Sequence, residues 1–213
     1  MEKHKIISKK FRSKKKIEEN EEEQEETGNE LVSVEDNHIY FYDSVTTKSI
    51  LTLIKHIQTL NKNLLFQQRD IKIKYDIDVE FNIYLHINSC GGYISDAFAA
   101  LKYIEQSKIP IISIIDGFAA SAATILSIVC YKRQITSFSS MLIHQLSGGC
   151  CGTYEQLEDE HENNIYLENS IKKIYIKYTN GKLTNKILEK VLKHDLMWDA
   201  AKCLQYGLVD EIV

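Results

Sequence analysis

Phe81-Asn82-Ile83-Tyr84-Leu85-His86-Ile87-Asn88-Ser89-Cys90-Gly91-Gly92 alternates apolar and polar side chains as far as Asn88 and then breaks on a glycine pair. Alternation with a period of two predicts a strand that turns one face to a core. The two glycines permit positive φ and expose amides that no side chain covers, so the strand ends in a tight loop. A helix is expected next over residues 95–107, with Ala97, Leu101 and Ile104 on its inner face. Residues 111–115 are an apolar run broken only by Ser113, the mark of a strand buried on both faces.

The same reading extends in both directions. Residues 38–42 predict a short strand, and Thr46 or Thr47 can cap a helix that carries Ile50, Ile54, Ile57 and Leu60 on one face. Residues 63–80 read as a long charged connection. A helix starts near Ser121, residues 141–144 form another strand, and Gly148, Gly149 and Gly152 mark a hairpin or loop. Thr153-x-x-Gln156 is a capping box that opens a long helix to about Thr179, closed by Gly181. Shorter helices are expected over residues 184–193 and 199–206, the second ended by Gly207, and residues 208–212 form a last strand. Strands alternate with helices, there is no internal repeat, and the expected fold class is α/β with a largely parallel sheet.

A chain of 213 residues, 44% hydrophobic and 26% charged, has enough apolar surface for one such domain. Its net charge of -4 gives no reason to expect nucleic acid, and no apolar run is long enough to span a membrane. Residues 1–16 are too basic and too poor in apolar side chains for a secretory signal. That basic block meets a run of glutamates from Glu18 to Glu26, with too little apolar surface to offset the entropy of ordering. Residues 1–36 are therefore expected to be a disordered charged tail, and residues 37–213 the folded domain. The five cysteines, Cys90, Cys130, Cys150, Cys151 and Cys203, are odd in number and form no C-x-x-C pair. A disulfide framework and a zinc site are not expected, no metal or cofactor is implied, and a reducing compartment, the cytoplasm, is. The adjacent Cys150 and Cys151 read as small residues in a turn.

Three stretches bear on chemistry. Ser121 follows Gly117-Phe118-Ala119-Ala120, a run of mostly small residues after a buried strand, and stands at the first turn of a helix, in the positive end of its dipole. Taken alone it is a helix cap or a small core residue. Gly91 and the amide of Ala122 would suit an oxyanion hole, although a glycine pair by itself is more often a plain turn. His144, in Leu142-Ile143-His144-Gln145, ends an apolar strand and is the candidate base. The other histidines lie in or beside the tail, on charged helices, inside a strand (His86), or next to Asp195 (His194), where neighbouring side chains diverge. Asp195 is the candidate carboxylate to orient the base, at the expected close of a helix. A backbone-donor pair, a nucleophile and a base are the parts of an acyl-transfer site.

Together these patterns resemble the proteolytic subunit of the caseinolytic (Clp) protease family, serine peptidases of the Clp/crotonase fold. The resemblance runs from about Ile39 to Ile212. It is carried by Tyr84-Leu85-His86-Ile87-Asn88-Ser89-x-Gly91-Gly92, Gly117-x-Ala119-Ala120-Ser121, Ile143-His144-Gln145 and Tyr206-Gly207-Leu208-Val209-Asp210. It implies a β-α superhelix with a protruding handle helix from Thr153. It implies Ser121 as nucleophile, His144 as general base, Asp195 as its orienter, and Gly91 and Ala122 as oxyanion donors. Gly92, Tyr93 and Ile94 on one edge, and Gln145, Leu146, Ser147, Gly148 and Gly149 on the other, resemble the strands between which a peptide lies. The implied partners are polypeptide substrates, further copies in a homo-oligomeric, heptameric ring, and an AAA+ ATPase unfoldase. Relative to the family, Cys90 replaces a proline, Ser140 an arginine, the connection over residues 63–80 is about a dozen residues longer, and the segment before His38 lacks a clear counterpart.

The function expected is hydrolysis of peptide bonds in unfolded proteins and short peptides through a Ser-His-Asp triad. The alternatives are a non-catalytic or regulatory ring subunit and a Ser-Lys enzyme like the signal-peptide peptidases. A crotonase-like acyl-CoA enzyme shares the fold but not the Ser/His pair.

Overall fold

The computed structural model describes residues 31–213, and Val32–Val213 form one compact unit. Strands β1 (Val32–Glu35) and β2 (His38–Phe41) lead into a long helix α1 (Thr47–Tyr75). Then come β3 (Ile83–Ser89), α2 (Ile94–Glu105), β4 (Ile111–Ala120) and α3 (Ala122–Ile128). Strands β5 (Lys132–Ile135) and β6 (Ser140–Leu142) precede α4 (Tyr154–Tyr178). The chain finishes with α5 (Asn185–Val191), β7 (Trp198–Asp199), α6 (Ala200–Gln205) and β8 (Glu211–Ile212).

The sheet runs β1-β2-β3-β4-β5-β8, with β6 branching from β4 and β7 pairing with β6. Only β1–β2 and β6–β7 are antiparallel, so the sheet is largely parallel, as the alternation of elements predicts. Helices α1, α2 and α3 pack as a layer against it. They cover the face that carries Ile39, Phe41, Ile83, Leu85, Ile87, Ile111 and Ile115, all buried. The expected alternation of β3 and the apolar run of β4 are both present.

Several boundaries differ from those expected. The charged connection over residues 63–80 is mostly helix, because α1 continues unbroken to Tyr75. Leu60 and Leu64, one turn apart, remain buried, and Lys72–Asp76 and Lys74–Asp70 pair across single turns. The charges that suggest a loop are therefore the solvated face of a helix, which ends only where Asp76 turns left-handed at φ 55°. The sheet also begins earlier than residue 37, since Val32–Glu35 pair with β2. The rest of the expected tail, residues 1–30, lies outside the described residues. Strand β5 is an addition: its charged Lys132 and Arg133 hide the pattern of a strand that pairs with both β4 and β8. The last strand shortens to Glu211–Ile212. Gly148, Gly149 and Gly152 lie in a loop with no hairpin strands. Thr46 and Thr153 cap their helices through reciprocal capping boxes.

The edge at β5 and β8 is closed by a charged pair. Arg133 is buried, donates to Asp210 through Nε and Nη2, and donates through Nη1 to the carbonyls of Tyr178 and Gly207. Burial pushes the Asp210 carboxyl up, but the hydrogen bonds and charge of Arg133 outweigh it and hold the carboxyl below its usual range. A depressed carboxylate stabilises the fold above the ordinary carboxylate range, and that contribution is lost as pH falls through the folded-state value. Asp210→Asn is expected to lower unfolding stability by about 1–2 kcal/mol at pH 7, the low end for a charged hydrogen bond because the carboxylate is partly exposed. Urea titrations should show the gap between the two proteins shrinking as pH falls below about 4.

Candidate active site

Ser121 stands between β4 and α3 with φ 54° and ψ -127°, a backbone conformation that costs a non-glycine residue about 1–3 kcal/mol. Three bonds hold it there. Its amide donates to the carbonyl of Leu142 at 2.8 Å, and its carbonyl accepts from the Thr124 amide at 3.0 Å and the Thr124 hydroxyl at 2.6 Å. The Thr124 hydroxyl in turn accepts from the buried phenol of Tyr175 at 2.5 Å, which ties α4 to the turn. A serine on a sharp strand-to-helix turn projects its hydroxyl away from the sheet edge.

Gly91 lies directly against that turn. At φ 89°, a Cβ on it would stand 2.6 Å from the Ala120 carbonyl oxygen, 2.8 Å from Ser121 Cβ and 3.1 Å from the Ala122 amide. Only glycine brings this backbone so close to Ser121. The Gly91 amide donates to Ser89 Oγ at 3.2 Å, while the Ala122 amide is at the first position of α3, where a helix supplies no acceptor. Gly92, at φ 152°, bridges Val45 as a parallel strand: Val45 donates to the Gly91 carbonyl at 2.8 Å and Tyr93 donates to the Val45 carbonyl at 2.9 Å. In that pattern the polar groups of Gly92 itself point to the opposite edge.

His144 is two residues past β6 rather than in it, and the expected strand over residues 141–144 ends at Leu142. The parallel register Ala120↔Leu142 places Ser121 and His144 beyond the same end of neighbouring strands. Asp195 does not close a helix. It lies instead in the loop between α5, which ends at Val191, and β7. Two contacts bring that loop to the histidine: the Gln145 amide donates to the Leu192 carbonyl at 2.6 Å, and Met141 pairs with Trp198. His144 Nδ1 is 3.7 Å from Asp195 Oδ1, a neighbour beyond hydrogen-bond length. The His144 side chain is 18% exposed and that of Asp195 79%, so the carboxylate side of the pair is the open one. Leu146 packs against the core while Gly148 and Gly149 are open.

One polar cluster is not evident from local sequence. His86, inside β3, shares a 2.9 Å hydrogen bond with His38 and makes a 2.8 Å bond to Asp116, which also accepts from the Tyr42 hydroxyl at 2.6 Å. The signal available was the period-two placement of His38, Tyr40, Tyr42, Tyr84 and His86 on one sheet face. Burial pushes the Asp116 carboxyl up, and the bonds from His86 and Tyr42 bring it below the usual range. Among the described residues no group of three or more metal-ligating side chains forms a site, and no helix is long and apolar enough to cross a membrane.

Comparison with known families matches residues 33–213 to the family described as Clp protease, and the chain belongs to that family. A similar curated protein is the ATP-dependent Clp protease proteolytic subunit 1 of Protochlamydia amoebophila (strain UWE25). It is 30% identical over 131 residues, covering 60% of this chain and 63% of the relative.

The cysteines divide by burial. Cys130 and Cys203 are buried, and burial pushes both thiols up to about 12, whereas Cys90, Cys150 and Cys151 are exposed. A thiol-reactive chromogen at pH 8 should titrate three cysteines per chain in the native protein and five in denaturant. Five reacting at the native rate would contradict the placement of Cys130 and Cys203.

Proposed function

We propose that this chain is a serine endopeptidase, the proteolytic subunit of an ATP-dependent Clp-type complex. The observation that carries the reading is the positive-φ Ser121, held at the end of β4 against Gly91, with His144 and Asp195 gathered at the same end of the sheet.

These positions suit distinct roles. His144 takes the proton of Ser121 Oγ as the oxygen attacks the peptide carbonyl, and the oxyanion forms against the Ala122 amide. The Gly91 amide becomes the second donor once it releases Ser89 Oγ. His144 passes the proton to the leaving amine, and water then hydrolyses the acyl-enzyme through the same histidine. Asp195 has to close from 3.7 Å to hydrogen-bond distance of His144, a tightening that substrate-free sites commonly need. By the resemblance, a substrate lies as an added strand between the free edge at Gly92 and Tyr93 and residues 145–148, while Ile94 already belongs to α2. Backbone pairing makes recognition broad, which suits unfolded polypeptides.

Assembly is part of the reading. The buried residues of α4 are Ile171 and Tyr175, both in its last third, while Tyr154, Leu157, Ile165 and Tyr166 are exposed. Apolar side chains on an unburied helix suit contact with further copies, and the resemblance supplies a handle helix, a heptameric ring and an AAA+ unfoldase that feeds it. Five unpaired cysteines suit the cytoplasm.

Ser121→Ala and His144→Ala should each reduce cleavage of a short fluorogenic peptide by about 10³-fold or more, and the double variant should be no worse than either alone. Asp195→Asn should also remove most of the activity. Cleavage by Ser121→Ala at the wild-type rate would contradict the reading. Light scattering at micromolar concentration should give a mass several times that of one chain, and a monomer throughout would contradict the assembly.

A further inference from the structure

The pairing of β3 with β4 is not uniform. Ile87 pairs with Ile115, yet two residues later Ser89 pairs with Ala119. Strand β4 therefore carries three residues, Asp116, Gly117 and Phe118, opposite the single residue Asn88. Bulges of this kind bend a strand and re-aim its downstream residues. Those residues are Ala119, Ala120 and Ser121.

We propose that Asn88 is a positioning residue for Ser121, a proposal that rests on Ser121 being the nucleophile. Asn88 Oδ1 accepts from the Phe118 amide at 3.1 Å and so occupies a donor that the bulge takes out of the β3–β4 ladder. Gly117 makes room for it: a Cβ there would stand 2.9 Å from Asn88 Oδ1. The bulge is also held at its start, where Asp116 takes bonds from His86 and Tyr42. Downstream, Phe118 to Ala120 leave the line of β5 and pair with β6, which ends beside His144. A clamp at residues 88 and 117 thus sets how far Ser121 advances toward both Gly91 and His144. Asn88 is exposed and its bond is a single neutral one, so its loss alters placement more than stability.

Asn88→Ala should lower kcat for a short peptide about ten-fold or more with KM changed less than about three-fold, since misplacement of a reacting group acts on the chemical step. Asn88→Asp keeps the acceptor oxygen and should stay within about three-fold of wild type. Gly117→Ala displaces Asn88 Oδ1 and should cost about as much as Asn88→Ala, with no further loss in the double variant, the non-additivity expected of two residues in one clamp. Hydrogen exchange supplies a readout free of activity: the Phe118 amide should exchange faster in Asn88→Ala and Gly117→Ala than in wild type or Asn88→Asp. Unchanged Phe118 exchange in Asn88→Ala, kcat within about two-fold of wild type, or losses that multiply in the double variant would each overturn the proposal. Wild-type cleavage that survives Ser121→Ala would instead overturn the nucleophile assignment, and the exchange data would still decide the clamp.

Discussion

Between Ile115 and Phe118 strand β4 passes its hydrogen bonds from β5 to β6, while on its other edge the pairing with β3 breaks at the bulge opposite Asn88 and resumes at Ala119. Two strands cannot occupy one edge, so β5 gives way to β6 along β4. Here Ser121 leaves β4 just past the exchange, His144 leaves β6 at the same level, and Gly91 leaves β3 on the other side. The relative placement of these three residues therefore follows from strand pairing.

That origin explains the strain at Ser121. A parallel strand that ends against a helix in a single residue has no room for a relaxed turn. The cost is offset by the bonds to Leu142 and Thr124 and by the packing of α3, in which every residue is buried. The Asp195 loop has no comparable frame. It is tied at Gln145–Leu192 and Met141–Trp198, and the carboxylate between those ties is open to solvent. The proposed site thus sets Ser121, fixed by its backbone bonds, beside a His144 that is mostly buried and an Asp195 that is open to solvent.

The parts legible in the sequence are those whose signal is local. The alternation of β3, the apolar run of β4, a threonine cap at residue 46 or 47, and the capping box at Thr153 depend on neighbours within a few residues, and all are present, the cap falling on Thr46. Ser121 and Gly91 are legible as candidates because small residues and glycines mark close backbone approach, His144 because it ends an apolar strand, and the family resemblance joins the three. What sequence could not show is non-local. Helix α1 reads as loop beyond residue 63 because its charges obscure the burial of Leu64. Strand β5 is defined by its neighbours β4 and β8 rather than by its own pattern. The bulge opposite Asn88 exists only in the register of two strands that are distant in sequence.

The central claim is that the strained turn at residue 121 presents a nucleophile activated by His144. Incubation with a fluorophosphonate, then peptide mapping by mass spectrometry, tests it most directly. The account predicts one phosphonyl adduct per chain, on Ser121, formed far more slowly in His144→Ala. An adduct on a different serine, or one that forms on Ser121 at the same rate without His144, would contradict it.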